Sequence, residues 1–160
     1  MRATSEHYKM VSLFMQFAGQ TTRHKPTLPS PEERLLRARL ILEEALETIQ
    51  GLGFGLRCAQ EDPNVGYELL DMVDFAFDEV DGGDLIEVAD GCADLSVVTI
   101  GTLIACGIPD QALLELVDKN NLAKFGEGGR RDEKTGKWIK PPGHQPPDVV
   151  GLLNKLGGGV

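Results

Sequence analysis

Apolar residues recur at helical spacing along most of the chain and almost nowhere alternate as a strand requires. Between Tyr8 and Ala18 they fall at Met10, Val11, Leu13, Phe14 and Phe17, which predicts a first helix. A connection from Gln20 to Pro31, rich in Thr, Pro and Lys, follows. Ser30-Pro31-Glu32-Glu33 then has the form of a helix start: a serine cap, a proline in the first turn and a glutamate placed to close a capping box. This second helix is expected to run to about Gln50, where Gly51 and Gly53 stop it. The stretch from Gly53 to Gly83 is less regular. Asp62-Pro63-Asn64 marks a turn, and Leu69, Leu70, Val73, Phe75 and Phe77 are compatible with an acidic helix over Tyr67 to Val80. Asp84 can cap a third helix, Leu85 to Cys106, closed by Gly107. Pro109 opens a fourth, Asp110 to Phe125, and a short one, Asp148 to Leu156, precedes the Gly157-Gly158-Gly159 tail. With no internal repeat and no period-2 segment, the expected class is all-α, an antiparallel bundle of about four to five helices in one domain over residues 1–160.

The polar faces of two helices carry the chemistry. In the second, Glu43, Glu44 and Glu47 fall within an arc of about 100°, opposite Leu35, Leu42, Leu46 and Ile49. Alone this reads as a solvated face, but Leu36 and Leu40 share the acidic arc and imply cover on that side too. In the third helix Glu87, Asp90 and Asp94 lie within about 60° of one another. Around them Leu85, Ile86, Val88, Leu95, Val98 and Ile104 point in nearly every direction, the pattern of a central, buried helix. Carboxylates enclosed in one stripe repel one another and lose hydration at roughly several kcal/mol per ion, and a divalent cation is the natural compensation. Asp84-x-x-Glu87 also reads as a capping box. Capping accounts for Glu87 but not for Asp90 or Asp94.

Rival metal and phosphate chemistries fail on the letters. None of His7, His24 or His144 stands three residues after a Glu, as a di-iron bundle needs. A calcium loop starting at Asp78 would put Val80 at a ligand position. There is no phosphate loop of the G-x-x-x-x-G-K-[ST] form and no Cys/His cluster for zinc.

Composition narrows the setting. A chain of 160 residues can bury one core without staples. Its three cysteines, Cys58, Cys92 and Cys106, are odd in number and lack C-x-x-C spacing, which suits a reducing compartment. Glu6, His7 and Lys9 interrupt any signal-peptide core, and the apolar run from Leu95 to Ile108 falls short of the ~20 residues a bilayer needs. A cytoplasmic protein with no membrane partner is expected. The net charge of −9 repels nucleic-acid backbones, so no nucleic-acid partner is expected. It also repels a triphosphate unless metal ions or a basic patch reverse the sign locally. Lys119, Lys124, Arg130, Arg131, Lys134, Lys137 and Lys140 make the C-terminal third basic, including the Pro/Gly-rich tail at 126–160. Trp138 in that tail reads as a packing anchor.

Glu44-x-x-Glu47 followed by Glu87-x-x-Asp90 on the next helix resembles the paired motif of the all-α nucleoside triphosphate pyrophosphohydrolases. That superfamily includes MazG proteins, all-α dUTPases and phosphoribosyl-ATP pyrophosphohydrolase. More of the chain joins the resemblance: Phe17 to Gln20 with Pro26 to Pro29, Leu36 to Glu44, Glu87 to Leu95 with Gly101-Thr102, Val117 to Phe125, and Gly136-Lys137 with Pro141-Pro142. It implies Mg²⁺ held by Glu44, Glu47, Glu87 and Asp90, with Mn²⁺ able to substitute, and Asp94 as a ligand or a neighbour behind the ligands. It implies Glu43 as the group that orients or deprotonates the attacking water. Asn121 and Lys124 match positions near the nucleotide, Gln20 one that touches base or sugar, and Lys119 adds a basic contact. The interval from Thr48 to Ile86 is longer than in relatives, so 53–81 is read as an insertion, and Asp118 stands where relatives often have His. The expected activity is cleavage of a nucleoside triphosphate to monophosphate and pyrophosphate, a house-cleaning role, by a homodimer or tetramer. The alternative is a helical module that senses nucleotide and metal, or only dimerises, without hydrolysis.

Overall fold

A computed structural model of the chain describes residues 3–58, 75–133 and 136–159. Among them are five helices, α1 (Glu6–Phe17), α2 (Pro31–Gly51), α3 (Leu85–Ala105), α4 (Asp110–Ala123) and α5 (Val149–Lys155). Four short strands form two antiparallel pairs: β1 (Phe54–Cys58) with β2 (Phe75–Glu79), and β3 (Arg130–Arg131) with β4 (Trp138–Ile139). The protein is therefore mostly helical, as expected, with a few short strands that the sequence pattern did not indicate. Two compact units result, Ser30–Thr99 and Met1–Pro29 with Ile100–Val160.

In the Ser30–Thr99 unit the serine cap and capping box form as read. Ser30 Oγ accepts from the Glu33 N–H at 3.3 Å and the Ser30 N–H donates to Glu33 Oε2 at 3.4 Å, an arrangement whose cap alone is worth about 1 kcal/mol. After α2 the chain turns through Gly53, whose φ of +87° suits glycine. It then enters the β1–β2 pair, where Leu56 faces Phe77 and Cys58 faces Phe75. The acidic helix expected up to Val80 is thus absent at Phe75–Glu79; residues 67–74 and the turn at 62–64 lie outside the described residues. Phe75 and Phe77 are two residues apart, a strand interval, and their cross-strand partners decide the structure. Arg57 clamps Asp78 diagonally across the ladder with bonds of 2.5 and 2.9 Å.

Asp84 caps α3, its Oδ1 accepting from the Ile86 N–H at 2.7 Å. Its own N–H donates to the Gly51 carbonyl at 2.8 Å, the bond a capping box would have given to Glu87. The same bond ties the end of α2 to the start of α3, and the two helices then run antiparallel. A Cβ on Gly51 would meet Val88 N at 3.0 Å, and one on Gly91 would meet Thr48 Oγ1 at 2.7 Å and Thr48 Cα at 3.0 Å. Glycine at 91 therefore permits a backbone approach that a side chain would forbid.

The all-round burial expected of α3 is not found in the single chain. Val98, Ile100, Ile104 and Ala105 are buried, but Leu85 is 82% and Ile86 78% exposed. In the first half of α3 Gly91 is buried, and large apolar side chains become buried from Val98 onward. By length and mean hydropathy α3 is the one described helix able to cross a membrane, but Glu87, Asp90 and Asp94 sit in its first half, where ionised groups oppose insertion.

In the other unit Ser5 caps α1 by accepting from the Tyr8 N–H at 3.0 Å. The fully buried Asp110, first residue of α4, accepts from both the N–H and the hydroxyl of Ser5, so the two helix starts are joined. The loop after α1 crosses the C-terminus of α3. Arg23 N–H donates to Ile104 O at 3.2 Å, Arg23 Nη1 to Ala105 O at 2.7 Å, and Thr27 N–H to Cys106 O at 2.9 Å. Gly107, with φ +71°, makes room, since a Cβ there would fall 2.1 Å from Lys25 O. The tail docks on α4: Trp138 Nε1 donates to Lys124 O at 2.6 Å and its ring lies 4.7 Å from that of Phe125, as befits a packing anchor.

Candidate metal and active site

The antiparallel α2–α3 crossing sets which acids meet. Passing back along α2 from Gly51 through Thr48 to Glu44 corresponds to passing forward along α3 from Val88 through Gly91 to Asp94. Thr48 fixes its own rotamer by donating to Glu44 O at 2.7 Å, which places its hydroxyl at the closest approach of the two helices.

Glu44 records the result. It is half-buried, and its carboxyl is pushed above the ordinary range by desolvation and then by the fields of Glu47, Asp94, Glu43 and Asp90. Every neighbour acting on it is acidic. One turn along, Glu47 and Glu87 line a cleft of about 610 Å³ together with Gln50, Asp81 and Asp84. Asp84 is engaged as the α3 cap, and Asp81 Oδ1 accepts from the Gly83 N–H at 2.8 Å. With the Asp84 N–H given to Gly51, Glu87 is not drawn back over the helix start.

Other features differ from the enclosed site the apolar pattern implied. Glu43, Glu47, Glu87, Asp90 and Asp94 are exposed in the single chain. Among the described residues no three or more His, Cys, Asp or Glu side chains are gathered closely enough to hold a metal ion. The backbone thus brings the two acidic motifs together while the carboxylate oxygens do not converge.

Asp94, left open between ligand and neighbour by the sequence, ranks above Asp90 among the charges acting on Glu44. Asp81 and Asp84 were not foreseen as cleft residues. Asp81-Gly82-Gly83-Asp84 is the available signal, an acidic turn leading directly into an acidic helix.

The residues expected near the nucleotide belong to the other unit. Asn121 and Lys124 are brought together on α4, Lys124 Nζ donating to Asn121 Oδ1 at 2.5 Å. Lys119 is set apart from them, lining a depression of about 260 Å³ with Glu115, Asp148 and Lys155. Gln20 is half-buried and its N–H donates to Met15 O at 2.8 Å. Lys134 lies outside the described residues.

A family profile described as PRA-PH, phosphoribosyl-ATP pyrophosphohydrolase, matches residues 11–121 and takes in both acidic motifs with their crossing. The class is that of pyrophosphohydrolases, hydrolases acting on phosphoric anhydrides. The chain belongs to the phosphoribosyl-ATP pyrophosphohydrolase family, within the MazG-like superfamily of nucleoside triphosphate pyrophosphohydrolases. No curated protein matches it.

Proposed function

We propose that the protein hydrolyses the α–β phosphate bond of a nucleoside or deoxynucleoside triphosphate to monophosphate and pyrophosphate. Glu44, Glu47, Glu87 and Asp90 would hold Mg²⁺, or Mn²⁺ in its place. The supporting observation is the α2–α3 crossing at Thr48 and Gly91, which sets the acids of one motif opposite those of the other. The donor set suits the ion, being carboxylate oxygen throughout, and Mg²⁺ leaves positions for water and substrate phosphate. Bound there, Mg²⁺ supplies charge neutralisation at the phosphates and acidifies water.

The chain's own groups do the rest. Glu43 lies about 100° from Glu44 and about 40° from Glu47 around α2, and serves as the base that takes the proton of the attacking water. Lys124, held by Asn121, is the donor for phosphate and Gln20 a further contact, while Lys119 is turned toward α5. A second copy of the chain would cover Leu85 and Ile86, which one chain leaves bare. Light scattering at micromolar concentration then gives a dimer or tetramer mass, and a monomer mass contradicts that part of the reading.

The test is a panel of nucleoside and deoxynucleoside triphosphates, with phosphoribosyl-ATP included on account of the family, assayed with Mg²⁺ and analysed for products. Pyrophosphate and monophosphate are expected; release of orthophosphate contradicts the proposal. A second reading is a module that binds nucleotide with metal through the same acids but does not cleave it. That reading gives Mg²⁺-dependent binding in the same panel and no product.

A further inference from the structure

The chemistry proposed above uses one cleft and leaves another idle. Within the unit of residues 1–29 and 100–160, a cavity of about 530 Å³ opens between α1, the loop after it and the turn at Gly107. Its volume is that of a small-ligand site. In a chain of net charge −9 the lining is unusual, because no acidic side chain contributes to it among the described residues. Lys9 and Arg23 supply the cations, and the His24 imidazole lies in the same lining.

These charges differ in how they are held. Arg23 is pinned by its Nη1 bond to Ala105 O and by its backbone bond to Ile104 O, so its guanidinium is set in place before any ligand arrives. Lys9 pairs with Glu6 at 2.5 Å, an exposed contact with side chains 57% and 87% accessible. Such a pair is worth little and yields readily to a stronger anion. Ser12 and Gln16 add neutral hydrogen-bonding groups from α1, and Tyr8, Leu13 and Pro109 add apolar surface to the same lining. A lining that combines cationic groups, an aromatic ring and neutral hydroxyl and amide groups holds the recognition elements of a phosphate joined to a planar base.

We propose that this cleft is a metal-independent site for a nucleoside monophosphate, with Lys9 and Arg23 on the phosphate and Tyr8 against the base. It stands independently of the carboxylate site, since no lining residue is shared.

Isothermal titration of the full-length protein in EDTA tests this with AMP, adenosine and inorganic pyrophosphate as probes. AMP is expected to bind, with adenosine and pyrophosphate each at least about tenfold weaker, since each offers only half of the recognised chemistry. Lys9→Glu and Ser12→Glu, both on the accessible side of α1, should each weaken AMP at least about tenfold with unchanged helical circular dichroism. Asp90→Ala should bind AMP as the native protein does. No heat with AMP at concentrations up to about 1 mM overturns the proposal. So does pyrophosphate binding as tightly as AMP, AMP binding insensitive to both α1 variants, or binding lost in Asp90→Ala.

Discussion

The two clefts invert one another. Among the described residues, that of the Ser30–Thr99 unit has four carboxylates in its lining, Glu47, Asp81, Asp84 and Glu87, and no cationic side chain. Among the same residues, that of the other unit has Lys9, Arg23 and His24 and no carboxylate. Both are of mononucleotide size, so shape does not separate them; charge does. An anion enters the first only with divalent cations, whereas the second can take one directly. The difference arises from local construction. The first is walled by the starts and ends of two acidic helices. The second is floored by a loop that brings a guanidinium to the carbonyl end of α3, where a positive charge is also favoured by the helix dipole.

The largest expected effect falls on the acidic side. Glu47→Ala and Asp90→Ala should each lower Mg²⁺-dependent turnover by at least about a thousandfold, in line with loss of a catalytic metal ligand. Their helical circular dichroism should be intact, because both side chains are exposed. Full activity in either variant contradicts the assignment. Next comes the floor of the basic side. Gly107→Ala puts a Cβ 2.1 Å from Lys25 O in a left-handed backbone and should cost more than about 2 kcal/mol in denaturant unfolding. An unchanged midpoint would show that the loop is not seated on that turn.

Gly91→Val should cost about 1–3 kcal/mol by forcing α2 and α3 apart at Thr48. It should also weaken Mg²⁺ binding while leaving AMP binding in EDTA as it was. Equal losses at both clefts would erase the distinction drawn between them. Smallest is the effect of Glu44→Gln on the metal-free protein. Partial burial, and then the neighbouring carboxylates, raise this carboxyl above its ordinary 4.5, so the folded protein keeps a proton that the unfolded chain has lost. Stability without metal therefore falls as pH rises from about 4.5 through the raised value. The variant escapes that loss and melts slightly higher than native protein at neutral pH, with the difference closing in acid. A lower melting temperature for Glu44→Gln at neutral pH without metal would show that no such repulsion exists.

Much of this was legible in the chain itself, for local reasons. Ser30-Pro31-Glu32-Glu33 fixed the start of α2 through side-chain and backbone bonds spanning four residues, and Gly107 marked the end of α3 because no other residue fits beside Lys25. The pairing of the two acidic motifs was also readable, since the segment after Gly51 returns α3 to the same place. What escaped depended on distant partners. Phe75 and Phe77 served a helix pattern and a strand pattern equally, and only Leu56 and Cys58 across the ladder decided between them. Periodicity showed α3 to be apolar all round, but it does not say whether one chain supplies the cover; Leu85 and Ile86 remain bare. The acids other than Glu44 are consequently exposed, so the electrostatic argument for a cation narrows to half-buried Glu44, where partial desolvation comes first and the fields of its acidic neighbours second. Grouping Lys119 with Asn121 and Lys124 followed their charge and nearness in sequence, but helical rotation turns Lys119 toward α5.

Electron paramagnetic resonance of Mn²⁺ in the presence of the protein tests the acidic crossing most directly. Native protein should deplete the free Mn²⁺ signal and Asp90→Ala should restore most of it. No depletion by native protein, or the same depletion by the variant, would contradict the claim that these carboxylates together hold a divalent cation.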